Sequence, residues 1–267
     1  MPRWALGVEY DGARFAGFQR QPHHAAATVQ GELETALSRV ADEEIRLVCA
    51  GRTDAGVHAT AQVVHFDSAA LREARAWVRG GNALVADGIR VHWARPVPAD
   101  FHARFSAAAR SYLYVLADRA PVQALLADRV APHGAPLDEE RMRDGAERLL
   151  GERDFSSFRA AGCQARHAVR EVQHVAVHRR GLLLGFEIRA NAFLQHMVRN
   201  IVGSLVLVGS GEREPAWIDR LLEARDRRLA GPAAPAAGLY LVDVLYPGYP
   251  ELPKAATVLP WCLVGGD

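Results

Sequence analysis

The apolar residues of this chain follow the same order of elements twice, and this repeat limits the folds open to it. Alternating apolar residues indicate strands, and apolar residues at helical spacing indicate helices, the first of them behind Thr28, a favoured N-cap residue. In the first half the predicted strands are residues 4–10, 45–50, 62–67 and 89–94, and the predicted helices are residues 29–40 and 71–84. The first half therefore has the order β-α-β-β-α-β.

The second half repeats that order. Its predicted strands are residues 112–116, 171–178, 182–189 and 240–245, and its predicted helices are residues 138–150 and 192–208. Two such units predict an α+β chain with two ferredoxin-like halves, whose antiparallel sheets lie side by side around a central cleft and are backed by helices. The boundary is expected near residues 103–110, which divides the chain into domains 1–106 and 107–267.

Composition excludes several classes of protein. The formal net charge is +1, so a polyanionic partner has to be bound by a local basic patch. Lys254 is the only lysine, which leaves no lysine for a P-loop or a Schiff base. Cys49, Cys163 and Cys262 lack C-x-x-C spacing and the N-terminus lacks a signal-peptide pattern, so a reduced, cytoplasmic protein is expected. The longest apolar run, residues 201–208, is far shorter than the ~20 residues that span a bilayer, so no membrane segment is expected.

The stretch CAGRTDAGVH, residues 49–58, places a carboxylate close to a guanidinium between two glycines. If the segment is extended, Arg52 and Asp54 point to the same face, where the guanidinium keeps the carboxylate ionised even if burial favours its neutral form. Gly51 and Gly56 permit positive φ angles and the close approach of a bulky ligand. These features suit a nucleophilic or basic aspartate, but they also describe a charged turn with Gly56 in the left-handed conformation. From spacing alone the charged turn is favoured.

Two other carboxylate or histidine pairs are weaker candidates. Glu9 and Asp11 supply the two carboxylates that glycoside hydrolysis needs, but nothing near them in the sequence supports that reaction. His174 and His178 are expected to lie ~13 Å apart on one strand at ~3.3 Å per residue, too far apart for one metal ion.

Cys163 and His167 suggest a thiol nucleophile, although a free cysteine in a loop with a histidine nearby by chance is the commoner arrangement. The sequence therefore carries no metal, thiol or nucleotide-cofactor signature.

Arginines are concentrated in the second half of the chain. Residues 152–199 contain eight arginines against four acidic residues, and the arginines are Arg153, Arg159, Arg166, Arg170, Arg179, Arg180, Arg189 and Arg199. The helix predicted at 192–208 carries a polar stripe at i, i+3, i+4 and i+7, made of His196, Arg199, Asn200 and Gly203. This stripe either faces a site or is a solvated helix edge.

Six separated blocks, taken in chain order, resemble one known family, the tRNA pseudouridine synthases of the TruA family. They read YDGARFAGFQRQ followed by TVQGELE, CAGRTDAGVHA, DFHARFSAAARSYLYVL, DFSSFRAAGCQAR, NAFLQHMVRNIVGSLVLVG and GLYLVDVLYP. The match runs from Val8 to about Pro253 and reverses the preference for a mere charged turn at residues 49–58. It implies a cytoplasmic homodimeric isomerase that converts uridine to pseudouridine at positions 38, 39 and 40 of the tRNA anticodon stem-loop, without a metal or an organic cofactor.

The same resemblance implies roles for five residues. In this family the aspartate that matches Asp54 is essential for catalysis, and the arginine that matches Arg52 displaces the target base and holds a backbone phosphate. The residue that matches Tyr112 packs on the uracil ring and assists the proton step. Leu239 matches an apolar residue of the uridine pocket, and Arg199 matches a basic residue expected to pair with the catalytic carboxylate.

The residues themselves fit such a reaction. A uridine in a stem-loop has to be flipped out of its stack at a cost of a few kcal/mol, for which an arginine wedge and an aromatic platform are suitable. The local excess of arginine is expected to meet phosphates, which position RNA without reading its sequence. Two departures from the family pattern are Phe18, where tryptophan is usual, and His167-Ala168, where a threonine-proline pair is common. Neither is expected to touch the chemistry.

Two alternative functions belong to other classes. Ferredoxin-like halves also build non-catalytic RNA-binding proteins, but these display stacking aromatic residues on central strands, and His65 and Phe66 do not reproduce that pattern. A small-molecule lyase or hydrolase that uses Asp54 is the third interpretation.

Overall fold

A computed structural model describes residues 1–21, 26–119 and 124–254 of the chain. By their contacts, residues 1–110 and 240–254 form a first unit and the described residues of 111–239 form a second. The sequence-based division into domains 1–106 and 107–267 stays a prediction, because these contacts do not measure independent folding. They group residues 240–245, the last strand without its first residue, with the first unit.

The first unit is a sheet backed by two helices. Its elements are β1 (Arg3–Tyr10), α1 (Val29–Ala41), β2 (Val48–Cys49), β3 (His58–Asp67), α2 (Ala74–Leu84) and β4 (Ile89–Val97). Strand β1 lies between β4 and β3 and is antiparallel to both, while the short β2 is antiparallel to β3. This is the spatial order 4-1-3-2 of a ferredoxin-like unit.

The second unit contains more elements than the sequence pattern predicts. They are β5 (Ala109–Ala117), β6 (Ala131–Pro132), α3 (Glu139–Glu147), β7 (Gly151–Asp154), β8 (Val169–Arg180), β9 (Leu183–Ala190), α4 (Met197–Gly209) and α5 (Trp217–Ala224). The main strands follow the order β5-β9-β8-β7, with β6 parallel to β5. The last strand, β10 (Leu239–Leu245), pairs in parallel with β3 through Tyr240 opposite His58 and Leu241 opposite Ala59.

Helix α1 forms where the sequence predicts it, because its signals are local. The Thr28 hydroxyl accepts a hydrogen bond from the Gly31 N–H at 3.3 Å, and Val29, Leu33 and Leu37 are fully buried on one face. The mixed α+β class is confirmed, and the first unit has the predicted order β-α-β-β-α-β. The second repeat is present in chain order as β5-α3-β8-β9-α4-β10, with β6, β7 and α5 as additional elements. The central cleft stays a prediction.

One prediction about the second unit is wrong in its boundary, and two elements of this unit are absent from the sequence-based prediction. Helix α4 starts at Met197 instead of residue 192, because His196 takes the left-handed conformation at φ 61° and ends the loop before it. Helix α5 was missed, although its apolar residues recur at helical spacing over Trp217–Ala224. Strand β7 was missed because its sequence, GERD, has no apolar residue to mark it. No helix within the described ranges is long and apolar enough to cross a bilayer.

Candidate active site

The loop at residues 51–57 is a turn that holds Asp54 half-buried. The Asp54 carbonyl accepts from the Val57 N–H at 3.1 Å, and Gly56 has the positive φ of 78° that this turn requires. Gly51 has no positive φ. Arg52 is exposed and the intervening Thr53 is buried. The turn expected from spacing is therefore present, and the turn and a reactive carboxylate are compatible in one loop.

Gln62 holds the start of this loop. Its side chain on β3 is fully buried, and its Nε2 donates to the Gly51 carbonyl at 2.6 Å while its Oε1 accepts from the Gly51 N–H at 3.4 Å. One amide side chain thus satisfies both polar groups of a peptide in the way a neighbouring strand does. Gln62 lies in an apolar run, ATAQVV, and a buried polar residue of this kind is the signal by which the sequence could have shown its role.

Tyr10 extends this support to the residue next to Asp54. The Tyr10 and Thr53 hydroxyls are hydrogen-bonded at 2.8 Å, and Gln62 Nε2 lies 3.2 Å from the Tyr10 hydroxyl, to which it donates. All three side chains are buried. A satisfied buried network of this kind restricts its members to one arrangement, so the backbone on the N-terminal side of Asp54 has little freedom.

A second loop, residues 12–18, packs against the first. The Phe18 N–H donates to the Thr53 carbonyl at 3.0 Å, and the Gly56 N–H donates to the Gly12 carbonyl at 3.2 Å. Gly17 has φ +93°, and a Cβ placed on it would lie 3.0 Å from the Thr53 carbonyl oxygen and 3.1 Å from Ala55 N. The glycines of the YDGARFAGF block therefore serve the close packing of two loops.

Phe18 is part of this packing. Its side chain is buried and its ring centroid lies 6.1 Å from that of Tyr10, so the residue that departs from the family pattern lies in the support of the Asp54 loop. His58 follows the loop as the first residue of β3. Its Nδ1 accepts from the Gly12 N–H at 3.1 Å, and its ring stacks on that of Tyr240 with centroids 4.7 Å apart.

The three remaining predicted site residues lie in the second unit. Tyr112 on β5 is buried, with its ring edge-on to Phe193 at 4.8 Å. Leu239 is buried at the start of β10. Arg199 on α4 donates from Nε to the Ala234 carbonyl at 2.7 Å. The first unit thus brings Arg52 and Asp54 into one loop, whereas the roles predicted for Tyr112, Leu239 and Arg199 stay predictions.

The polar stripe on α4 is not a solvated edge. Asn200 is buried, and its Nδ2 donates to the Phe158 carbonyl at 2.8 Å while its Oδ1 accepts from Arg227 at 3.0 Å. Gly203 packs against a neighbouring segment so closely that a Cβ on it would lie 1.7 Å from the Pro232 carbonyl oxygen. These two members of the stripe hold the chain after α5 in place.

The concentration of arginines in the second unit is only partly available to RNA. Arg179 forms two hydrogen bonds to the fully buried Asp118, at 2.8 and 3.0 Å, and Arg170 is buried against the carbonyls of His167 and Val169. The exposed members are Arg153, Arg166, Arg180 and Arg189. Arg170 and Arg179 therefore have structural tasks, and the expectation that the local excess of arginine meets phosphates stays a prediction.

The rival carboxylates take part in local structure. Glu9 Oε2 accepts from His92 Nε2 at 2.6 Å, and Asp11 accepts from the Ala13 N–H at 3.2 Å at the start of a single helical turn. His174 and His178 both lie beside Glu187, at 3.7 and 3.9 Å. In the described part of the chain, no group of three or more metal-ligating side chains could hold an ion.

Cys163 is engaged with backbone groups. Its Sγ lies 3.5 Å from the Gln195 N–H, which donates to it. Burial raises the pKa of this thiol, but the Ala165 and Gln195 N–H groups and then Arg159 outweigh burial and leave the pKa below its ordinary value. His167 Nδ1 lies 3.5 Å from Arg170. Cys262 lies outside the described residues.

The comparison with protein families places this chain among the pseudouridine synthases, the class that the six sequence blocks indicate. The model of the family described as tRNA pseudouridine synthase matches residues 7–106 and 146–247, and the chain belongs to that family. The enzyme class predicted from the sequence is thereby confirmed.

Curated relatives extend the similarity over nearly the whole chain. A tRNA pseudouridine synthase A of Hydrogenovibrio crunogenus is 53% identical over 250 residues, covering 94% of this chain and 95% of the relative. Those of Pseudoalteromonas atlantica and Xanthomonas oryzae pv. oryzae are each 52% identical, over 252 and 255 residues, covering 94% and 96% of this chain and 95% and 99% of the relatives. Among solved structures, a chain from the crystal structure of a Cbf5-Nop10-Gar1 complex is similar at 10% identity and a TM-score of 0.38, covering 89% of this chain and 48% of that one.

Proposed function

We propose that this chain isomerises uridine to pseudouridine at positions 38, 39 and 40 of the tRNA anticodon stem-loop, with Asp54 as its catalytic residue. The observation that carries the proposal is the loop around Asp54. The loop that carries the half-buried Asp54 is held by Gln62 and Tyr10 on one side and by residues 12–18 on the other. Rigid support of this kind is what a reacting group needs to keep its orientation towards a substrate.

The reaction exchanges one bond of the nucleoside for another. The bond from ribose C1′ to uracil N1 breaks, the uracil turns, a bond from C1′ to C5 forms, and the proton at C5 leaves to solvent while N1 gains a proton. The exchange needs one ionised carboxylate at the sugar or the base, and Asp54 supplies it. The proton at C5 is removed after the new bond forms, and Tyr112 assists that step.

Arg52 serves the delivery of the uridine. Its guanidinium is exposed two residues before Asp54, so it can enter the RNA stack while the carboxylate stays at the loop. Displacing a base from its stack costs a few kcal/mol, and a guanidinium offers both a flat surface and a contact for phosphate. Leu239 lines the uridine pocket and Arg199 pairs with the catalytic carboxylate. The enzyme acts as a cytoplasmic homodimer without metal or organic cofactor.

The test uses tRNA that carries tritium at uracil C5. The wild-type protein is expected to release tritium to water, since only the isomerisation removes the C5 proton. Asp54→Asn keeps the shape of the side chain but removes its charge, and we expect it to bind tRNA and release no tritium. Mapping of pseudouridine in the product tRNA then checks positions 38, 39 and 40.

Different results would point to other functions. Binding of tRNA by the wild-type protein without tritium release would indicate a non-catalytic RNA-binding protein. Activity retained by Asp54→Asn would remove the site assignment and leave the enzyme class in place. Arg52→Lys keeps the charge but loses the flat guanidinium, so a large loss of activity in this variant supports the role in base displacement.

A further inference from the structure

Phe105 is an exposed aromatic side chain on the first unit. It is 75% exposed, and among the large apolar side chains that the described residues expose it is the one aromatic. Its ring lies against His102, with centroids 4.3 Å apart and ring planes 31° apart, and the Arg104 guanidinium lies 5.5 Å from its centroid. We call His102, Arg104 and Phe105 the Phe105 platform.

The backbone of the platform is held in one conformation. His102 Nδ1 accepts from the N–H groups of both Arg104 and Phe105, each at 3.2 Å. The Ser106 hydroxyl accepts from the His102 N–H at 2.9 Å, and the Ser106 N–H donates to the His102 carbonyl at 2.8 Å. These hydrogen bonds hold the loop in one conformation. Phe105 is therefore exposed on a rigid backbone, and its exposure does not depend on movement of the loop.

Side chains from elsewhere in the first unit tie this loop to the Asp54 loop. The Tyr246 hydroxyl donates to the Ala103 carbonyl at 2.6 Å. The buried Arg110 donates to the Arg104 carbonyl and, at 2.9 Å, to the Ala50 carbonyl. Ala50 directly precedes the loop at residues 51–57, so the platform and the candidate active site share one anchor.

Two arginines, Arg52 and Arg104, act on the thiol of Cys49. Burial raises the pKa of the Cys49 thiol to about 11, and the positive charges of Arg52 and Arg104 oppose that rise. Both guanidinium groups therefore lie within electrostatic range of one thiol. An exposed aromatic ring with the Arg104 guanidinium beside it is complementary to nucleic acid, whose bases stack on aromatic rings and whose phosphates attract arginine.

We propose that the Phe105 platform stacks an unpaired base of the RNA substrate, a base other than the uridine that reacts. The inference rests on the proposed function, since it takes RNA as the substrate of the Asp54 loop. Phe105 and His102 provide the stacking surface, and Arg104 contacts a phosphate next to the stacked base. The platform thereby increases the affinity for RNA and fixes the position of the RNA strand so that the reacting uridine lies at Asp54.

The test measures the dissociation constant of tRNA at several salt concentrations. Phe105→Ala is expected to weaken binding about five- to 150-fold without changing the salt dependence, because stacking is lost and no charge is removed. Phe105→Leu keeps apolar volume without a π-face and is expected to behave like Phe105→Ala, whereas Phe105→Trp retains affinity. Arg104→Gln is expected to reduce the slope of affinity against salt by about one phosphate contact.

Leu71 provides the matched control, since it is 93% exposed in the same unit. Leu71→Ala is expected to leave tRNA affinity unchanged. Equal affinities for Phe105→Ala and Leu71→Ala would overturn the inference, as would a Phe105→Leu variant that binds like the wild type. A change of oligomeric state with Phe105→Ala in sedimentation would also overturn it, in favour of a protein contact. Tritium release by the wild type is read separately, so failure of the platform and failure of the proposed function give different results.

Discussion

The side chain of Gln62 bonds to both polar groups of Gly51, donating to its carbonyl at 2.6 Å and accepting from its N–H at 3.4 Å. Gln62 is fully buried and Gly51 is half-buried, and the Asp54 loop begins at Gly51. The position of the Asp54 carboxylate therefore depends on Gln62, a strand residue outside the loop.

Gln62→Leu is expected to lower kcat about 10- to 100-fold with little change in KM for tRNA. The Gly51 peptide loses its partners and Asp54 shifts, while the RNA-binding surface stays intact, and a displacement of about 1 Å can cost on the order of 100-fold. Single-turnover kinetics measure the effect. Because Gln62→Leu also leaves buried groups unsatisfied, urea unfolding has to accompany it. Unchanged kcat in a folded variant would contradict the positioning role, and an equal loss in kcat and affinity would indicate general damage.

Gly17→Ala is expected to lower both stability and activity. Its φ of +93° is unfavourable for any other residue by roughly 1–2 kcal/mol, and the added Cβ presses on the Asp54 loop at Thr53 and Ala55. Gly211→Ala is the matched control, since Gly211 has φ +82° and nothing within 4 Å of the added Cβ. We expect Gly211→Ala to cost stability only. If thermal unfolding and tritium release change alike in the two variants, the contact between the loops has no functional effect.

Stability is expected to fall between pH 6.5 and pH 4 because of His65. Burial, followed by the charges of His102 and Arg3, lowers the pKa of His65 to about 4, and its Nδ1 accepts from the Ala103 N–H at 3.1 Å. Below about pH 6.5 the unfolded chain binds a proton that the folded chain does not bind until about pH 4. The unfolded state therefore binds more protons in this window. As the pH falls from 6.5 to 4, the folded state loses up to about 3 kcal/mol of stability relative to the unfolded state.

His65→Asn keeps an acceptor near the Ala103 N–H and does not titrate, so urea midpoints are expected to vary less with pH than in the wild type. His178→Asn, at an exposed position of β8, serves as the control and is expected to follow the wild-type profile. A His65→Asn profile parallel to that of the wild type would show that other groups cause the acid sensitivity.

Asp118→Ala is expected to destabilise the second unit by about 3–5 kcal/mol. Asp118 is fully buried and accepts from Arg179 and from the Leu137 N–H at 2.9 Å. Its removal takes two hydrogen bonds from the Arg179 guanidinium and leaves the Leu137 N–H without its acceptor. Glu44→Ala, which removes one member of an exposed pair with Arg46, is expected to cost less than about 1 kcal/mol. Equilibrium urea unfolding compares the two, and similar small losses would argue against the buried pair as a stabilising contact.

The elements predicted correctly are those whose signals lie within a few residues. Leu33 and Leu37 repeat at helical spacing behind a hydroxyl cap, which is enough to place α1. Residues 192–196 precede α4 and were predicted to be helical from apolar spacing, but the left-handed backbone at His196 starts the helix five residues later. Neither β7 nor the buried state of Asn200 could be predicted, because both depend on segments distant in sequence.

The sequence by itself determined the α+β class, the repeated order of elements and, through six ordered blocks, the family and the prominence of Asp54. These follow from local periodicity and from linear motifs. Only the tertiary structure decided how the Asp54 loop is held. Gln62 and Tyr10 reach it from two strands, and Gly17 packs on it across 37 residues of chain. Such contacts join distant segments through buried hydrogen bonds and close packing, whose partners are set by the folded backbone and not by neighbouring residues.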